Sequence, residues 1–357
     1  MPLIMNADVD KLNGLAPRSC ELCHKKEGVA RCSACLAVFY CGRECQVKDR
    51  DFHKTPCTLI KKNRLRYKSE QKKLREMPSG PFLPENVFED HVGRFWGILG
   101  TRPYMCARYA LVDAMLISYG TAGGPVDVVQ MSLDHLLDMM RLCRSDNLCL
   151  RKLIPGLYIR LGRDQDAYDF MKWYATTGQK TDYNWGDMEE PFLDTKDADV
   201  LEAPVKSWKG RVLDLNHVVA VVLIKVRIML DLQVIQNARI ADRGDNPEET
   251  IKIIGGKLVS PIISSRAESL LAEPQETARL AAKIKKQIKQ LYDAVGSYNR
   301  HFWDLLVEDP DCGVLRRPAS NPPQSKNEAI VVVKYSYASW YKTPGAVNML
   351  RNLSEED

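Results

Sequence analysis

The chain contains 357 residues, of which 45% are apolar and 27% are charged, and its formal net charge is +5 at pH 7. A chain of this length can hold two domains, the larger with a sizeable core. The mild positive charge does not by itself indicate a nucleic-acid partner. No apolar run approaches the length of about 18 residues that would predict a membrane-spanning helix, so we expect no membrane association.

Residues 1–19 form a predicted N-terminal tail. Asp8 and Asp10 stand where a secretory signal would need a basic start followed by an apolar run. We therefore expect a protein that is not secreted and that resides in the cytoplasm, the nucleus or both. A reducing compartment favours metal binding over disulfides for its cysteines.

Seven of the eleven cysteines fall within residues 20–57, together with one histidine at ligand spacing. The candidate metal ligands form four pairs: Cys20 and Cys23, Cys32 and Cys35, Cys41 and Cys45, His53 and Cys57. Two thiolates in a C-x2-C pair converge on one ion, and an x3 spacing places two ligands one helical turn apart. Eight ligands suffice for two closed tetrahedral zinc sites, which are structural rather than catalytic. Spacing alone does not choose between sequential and interleaved pairing.

The order of these pairs, with Phe39-Tyr40 before Cys41 and Gln46 after Cys45, resembles the MYND-type zinc finger over residues 20–57. We call this segment the finger. The resemblance implies an interleaved arrangement of two zinc ions. One zinc would be held by Cys20, Cys23, Cys41 and Cys45, and the other by Cys32, Cys35, His53 and Cys57.

The resemblance also implies a protein-interaction module. Some MYND fingers bind short proline-rich peptides through a glutamine and a tryptophan; here Gln46 keeps the first position and Arg50 occupies the second. A guanidinium suits carboxylates better than a polyproline ligand. We expect a partner to contact the finger around Gln46 and Arg50 through acidic residues. The alternative is that Arg50 packs against the finger or pairs with Asp49 or Asp51.

Residues 58–85 are predicted to be a basic helix followed by a proline-rich linker. Eight Lys or Arg lie between Lys61 and Arg75, as expected for a solvated connector. A nuclear signal or a patch for an acidic partner is a second interpretation. Nucleic-acid binding is disfavoured because only Tyr67 could stack on a base. The breaker-rich residues 77–84 mark the expected domain boundary.

Residues 86–357 are predicted to form an all-helical domain. Helical spacing extends over residues 104–118, and residues 132–174 contain three short helices separated at 145–147 and 162–164. This rhythm is similar to tetratricopeptide helix pairs, although no clear 34-residue recurrence is present. The charged residues of this region favour ion pairs between helices, and the acidic residues 182–202 indicate a surface loop.

The C-terminal half contains the most apolar segment of the chain. Residues 214–241 predict a buried central helix capped by Asp214 or Asn216, with His217 as a helix-end or core residue. A stripe of apolar residues, whose spacing alternates between three and four residues, predicts one long helix over residues 275–307. A loop then leads to a helix ending near Tyr341 and to a short last helix.

These patterns favour an adaptor that binds other proteins through the finger and the helical domain. A transcriptional or nucleic-acid-associated regulator is the alternative. A lysine methyltransferase of the SET type should have SET sequence before the finger, where 19 residues stand. It should also contain an Asn-His-x-Cys-x-Pro-Asn motif, whereas Asn216-His217 is followed by Val-Val-Ala. A RING-type E3 ligase is disfavoured because the ligand set ends in H-x3-C. We expect the chain not to be an enzyme.

Overall fold

The structure is a computed structural model that describes residues 17–120, 124–242, 247–316 and 318–355. Within these residues the finger is followed by a mostly helical chain, as predicted. Two short strands, β1 (Ala30–Arg31) and β2 (Phe39–Tyr40), pair antiparallel inside the finger. Among the helices that the structure describes, none is long and apolar enough to cross a membrane.

The α-helices of the N-terminal half are α1 (Arg43–Lys48), α2 (Arg50–Glu76), α3 (Val87–Asp90), α4 (Arg102–Tyr119), α5 (Val126–Leu142), α6 (Ile154–Arg160) and α7 (Asp164–Ala175). Those of the C-terminal half are α8 (Leu215–Asp242), α9 (Pro247–Gly255), α10 (Pro261–Ser264), α11 (Ala267–Ala272), α12 (Pro274–Tyr298), α13 (Phe302–Glu308), α14 (Cys312–Leu315), α15 (Lys326–Tyr341) and α16 (Ala346–Glu355). Short 3₁₀ helices occur at Phe95–Gly97, Leu99–Thr101, Leu150–Lys152, Thr177–Gln179 and Lys206–Lys209.

The described chain divides into two compact units. One runs to Leu157 and includes Asn184–Phe192; the other comprises Tyr158–Tyr183 and the chain from Leu193 onward. This division does not follow the linker at residues 77–84, because the finger and α2 group with the helices up to residue 157. That residues 86–357 form a separate domain stays a prediction.

In the first unit, α2 packs on α4, and α4 packs on α5. The basic run of α2 is therefore not solvated all round. Ile60 is fully buried, and the Tyr67 ring lies 5.5 Å from Tyr104 on α4 and 5.6 Å from His135 on α5. Exposed lysines and arginines cover the remaining face of α2.

In the second unit, α8 is the central helix. Every residue from Leu215 to Ile228 is buried, which explains why this segment lacks an amphipathic pattern. The Asp214 carboxylate caps the helix by accepting hydrogen bonds from the backbone N–H of Asn216 (3.1 Å) and of His217 (3.4 Å). The apolar stripe of α12 packs against α8.

The prediction of one helix over residues 275–307 was wrong in one respect. The helix ends at Tyr298 and a new one begins at Phe302. The buried Asn299 causes the break, because its Nδ2 donates to the Ser325 carbonyl (3.0 Å) and to the Glu328 carboxylate (3.1 Å). These partners lie far along the chain, so the spacing of the apolar stripe gave no sign of the break.

Polar side chains of α8 form hydrogen bonds with backbone groups of the surrounding loops. The Lys225 Nζ donates to the carbonyls of Val200 and Glu202, the latter at 3.0 Å. The Asp231 carboxylate accepts from the backbone N–H of Val259 (2.9 Å) and Ser260 (2.7 Å).

The Arg227 guanidinium completes this set. It pairs with Asp164 at 2.8 Å and donates to the Thr343 hydroxyl at 3.1 Å and to the Val259 carbonyl.

Acidic residues 182–202 form a loop as predicted, but Val200 and Leu201 in it are buried.

We predict a pH dependence of stability from Lys225, which is fully buried and whose pKa is lowered by that burial to about 7. Between about pH 7 and 10.4 the unfolded chain protonates this amine and the folded chain does not. The free energy of unfolding therefore rises with pH across this window, by at most about 1.4 kcal/mol per pH unit. Lys225→Met removes this contribution. Urea unfolding at about pH 7 and about pH 9 should show that wild type gains stability relative to Lys225→Met. The exposed Lys286→Met is the control, and an equal pH response of the two variants would contradict the prediction.

Candidate metal centres in the finger

The first five thiols are positioned by two turns and a hairpin. Each C-x2-C pair is followed by a residue in the left-handed conformation, His24 (φ 58°) and Leu36 (φ 61°). The backbone N–H of His24 donates to the Cys20 carbonyl at 2.9 Å, and that of Leu36 donates to the Cys32 carbonyl at 2.8 Å. The turns thus bring both thiols of each pair to one side. His24 serves this turn and belongs to neither ligand group.

The remaining ligands lie on helices. Cys45 belongs to α1, and His53 and Cys57 belong to the first two turns of α2. Because His53 and Cys57 are four residues apart, their side chains emerge on the same face, one turn apart. The hairpin, in which Ala30 pairs with Tyr40, brings the thiols that follow β1 and β2 towards these helices.

Two groups of four ligands result, with all ligand atoms of each group within 4.8 Å of one another: Cys20, Cys23, Cys41 and Cys45 in site 1, and Cys32, Cys35, His53 and Cys57 in site 2. The grouping is the interleaved one that the resemblance implied.

The interatomic distances test whether zinc fits. In site 1, the Cys41 Sγ lies 3.5 Å from the Sγ atoms of Cys23 and Cys45. In site 2, the Cys32 Sγ lies 3.9 Å from the Cys57 Sγ and 3.3 Å from the His53 Nε2. Tetrahedral zinc with Zn–S bonds of about 2.3 Å separates its sulfur ligands by about 3.8 Å. The two donor sets, Cys₄ and Cys₃His, therefore fit two zinc sites.

The electrostatics of site 2 also suit a dication. Burial, reinforced by the charges of Cys35 and Cys32, raises the pKa of the Cys57 thiol to about 12. Burial lowers the pKa of His53, so its imidazole is neutral and can act as a ligand. A zinc ion supplies the positive charge that keeps the thiols ionised.

His53 links site 2 to the helices. Its Nε2 faces the thiols, and its Nδ1 lies 2.8 Å from the hydroxyl oxygen of Tyr119, at the end of α4. When Nε2 coordinates a metal, Nδ1 carries the proton and its N–H donates a hydrogen bond to this oxygen. Burial raises the pKa of Tyr119, which therefore stays neutral. The Tyr40 ring packs edge-on against the His53 ring, and the Tyr40 hydroxyl donates to the Asp49 carboxylate at 2.5 Å.

A second attachment lies at the start of α5. The Asp127 carboxylate pairs with the Arg18 guanidinium at 2.8 Å and with that of Arg31 at 3.1 Å. The pKa of Asp127 is lowered, chiefly by hydrogen bonds from Arg18. Both guanidinium groups also lie over the Phe39 ring, at 4.9 and 5.2 Å from its centroid. Sequence reasoning missed Tyr119 and Asp127, since neither stands near the finger in the sequence.

Gln46 and Arg50, the residues predicted to face a partner, both line one open groove of about 800 Å³. We call it the basic groove because five of its lining residues are cationic and none is acidic: Arg31, Arg43, Arg50, Lys54 and Lys61. The Gln46 Nε2 lies 3.4 Å from the Cys32 Sγ, so the groove adjoins site 2. Among the described residues Arg50 has no ion-pair partner, and neither Asp49 nor Asp51 engages it.

Comparison with protein families matches residues 20–57 to the MYND finger. No other family is assigned to the helical remainder. Comparisons with curated proteins and with solved structures found no match. MYND fingers generally mediate protein–protein interaction.

We predict that the purified protein carries two zinc ions per chain, because two complete four-ligand groups are present. Cys23→Ser should leave site 2 loaded and Cys35→Ser should leave site 1 loaded. Elemental analysis of reduced protein checks the ratio, with Cys106→Ser as the control for loss of an exposed thiol that belongs to neither group. A single zinc in wild type would contradict the prediction.

Tyr119→Phe should weaken one zinc and spare the other, because it removes only the hydrogen-bond partner of His53. Loss of such a partner typically lowers metal affinity about 10- to 100-fold. Zinc release to a competing chelator should then occur in two steps, with one step shifted relative to wild type. Site 1 acts as the internal control. Equal shifts of both steps, or none, would assign Tyr119 to packing alone.

Proposed function

We propose that the protein is an adaptor: the finger recruits other proteins, and the helical units are the scaffold that carries it. The observation that supports this most directly is the basic groove beside site 2. It is open to solvent, it contains the two residues expected to contact a partner, and it belongs to a segment that matches an interaction finger.

The metal chemistry supports binding rather than catalysis. Each zinc site has four protein ligands, and a closed tetrahedral site has no open position for a substrate or an activated water. We therefore propose no enzymatic activity for the finger. Its zinc ions hold the turns and helices that shape the groove.

The alternative of a nucleic-acid-associated regulator receives less support. Tyr67, the aromatic residue within the basic run of α2, packs against Tyr104 and His135 and is not free to stack on a base. The exposed cations of α2 remain compatible with a nuclear location, and we propose that the protein works in the cytoplasm, the nucleus or both.

Proximity labelling in cells tests the proposal. Wild type should label a set of partners that Cys23→Ser and Cys35→Ser lose, because each variant removes a ligand that holds the finger. Cys106→Ser, which removes an exposed thiol outside both groups, should label the wild-type set. A labelled set that is the same for all four proteins would contradict an adaptor role of the finger.

A further inference from the structure

The floor of the basic groove is one face of α2. Arg50, Lys54, Thr58 and Lys61 follow one another at intervals of four, four and three residues and all line the groove. This spacing aligns their side chains along the helix axis. Arg50, Lys54 and Lys61 are exposed, so the stripe presents a row of positive charges to solvent.

The walls of the groove come from the rest of the finger. Residues 30–34 form one wall, and Gly42, Arg43, Gln46 and Val47, at α1, form the other. The Arg64 guanidinium, one turn beyond the stripe, donates to the Ala34 carbonyl at 2.8 Å and so ties the first wall to α2. At the other wall, Val47 is an exposed apolar residue at 58% exposure.

The positive charge of the groove is not neutralised by the described residues. Arg31 is partly engaged by Asp127, but Arg43, Arg50, Lys54 and Lys61 form no ion pair with any described residue. The nearby Glu44 is already paired with Lys48 at 2.7 Å and does not line the groove. Site 2 with its zinc, three thiolates and a neutral imidazole contributes only one negative charge, so these four cations leave the groove with an excess of positive charge that attracts anionic ligands.

Gln46 adds a hydrogen-bonding group to this surface. Its Nε2 is turned towards the Cys32 thiol, 3.4 Å away. Its Oε1 accepts no hydrogen bond from a described residue and is free to accept one from an incoming backbone N–H. The groove thus combines a backbone contact with a row of side-chain charges.

From these features we propose that the basic groove binds an extended, acidic segment of a partner protein, rich in Asp and Glu. The inference rests on the adaptor role proposed above and specifies its ligand. A proline-rich segment fits less well, because the rings that line the groove, Tyr40 and His53, are buried at 4% and 7% exposure. The same burial disfavours single-stranded nucleic acid, which needs exposed rings for stacking.

Fluorescence anisotropy with the zinc-loaded full chain tests the proposal. The probe is a short labelled peptide in which Glu and Asp alternate with Ala; the comparison probes are the Gln/Asn version, a proline-rich peptide and a single-stranded oligonucleotide. The acidic probe should bind most tightly, and its affinity should fall as salt is raised.

Arg50→Glu combined with Lys54→Glu should weaken binding of the acidic probe by about tenfold or more, since two attractions become repulsions. Lys62→Glu combined with Lys68→Glu is the matched control: it changes charge equally at exposed positions of α2 outside the groove and should change the affinity less than about threefold. Both double variants must retain two zinc ions and the wild-type circular dichroism.

Equal binding of the acidic and the Gln/Asn probes would overturn the proposal, as would equal losses in the two double variants. Tighter binding of the oligonucleotide, lost in the groove variant, would assign the groove to nucleic acid instead. The adaptor role is tested separately. Partners that are lost in Cys35→Ser but kept in Arg50→Glu/Lys54→Glu would uphold that role and exclude this ligand.

Discussion

The hydrogen bond between His53 and Tyr119 is the interaction on which the arrangement of the first unit depends. His53 is at once a member of site 2 and a residue in the first turn of α2, and Tyr119 ends α4. One imidazole therefore belongs to the metal site and to the basic helix and also contacts the end of α4. The pairing of Asp127 with Arg18 and Arg31 adds a second point of attachment. The finger is accordingly built into a larger unit and is not suspended from a linker.

Local constraints made the metal sites and the central helix predictable. Ligand spacing is set by the geometry of one ion, and α8 follows from a long apolar run without a turn signal. Non-local contacts were not predictable in the same way. Tyr119 and Asp127 meet the finger only after folding, and the end of α12 depends on Asn299 reaching residues 325–328. Ile60, Tyr67 and Leu74, seven residues apart within a run of basic residues, were the sequence signal that α2 has a buried side.

The modest net charge of the chain does not show that its charged side chains have two different roles. In the second unit, Lys225, Arg227 and Asp231 are buried and bind loop backbone, so these side chains serve the fold. In the finger, the cations of the basic groove remain exposed and without acidic neighbours in the groove. An average over 357 residues cannot separate these roles. The distinction follows from where each side chain finds its partner, and it indicates which charges are free to act on other molecules.

The left-handed conformations of His24 and Leu36 limit which residues can replace them during evolution. Both residues hold the turn beside a metal-binding pair, at φ values of 58° and 61°. Glycine and asparagine adopt this backbone readily, whereas valine, isoleucine and threonine do not. Variation at these two positions is therefore limited by backbone shape rather than by side-chain chemistry. Even where neither side chain has a role of its own, most β-branched replacements would be selected against.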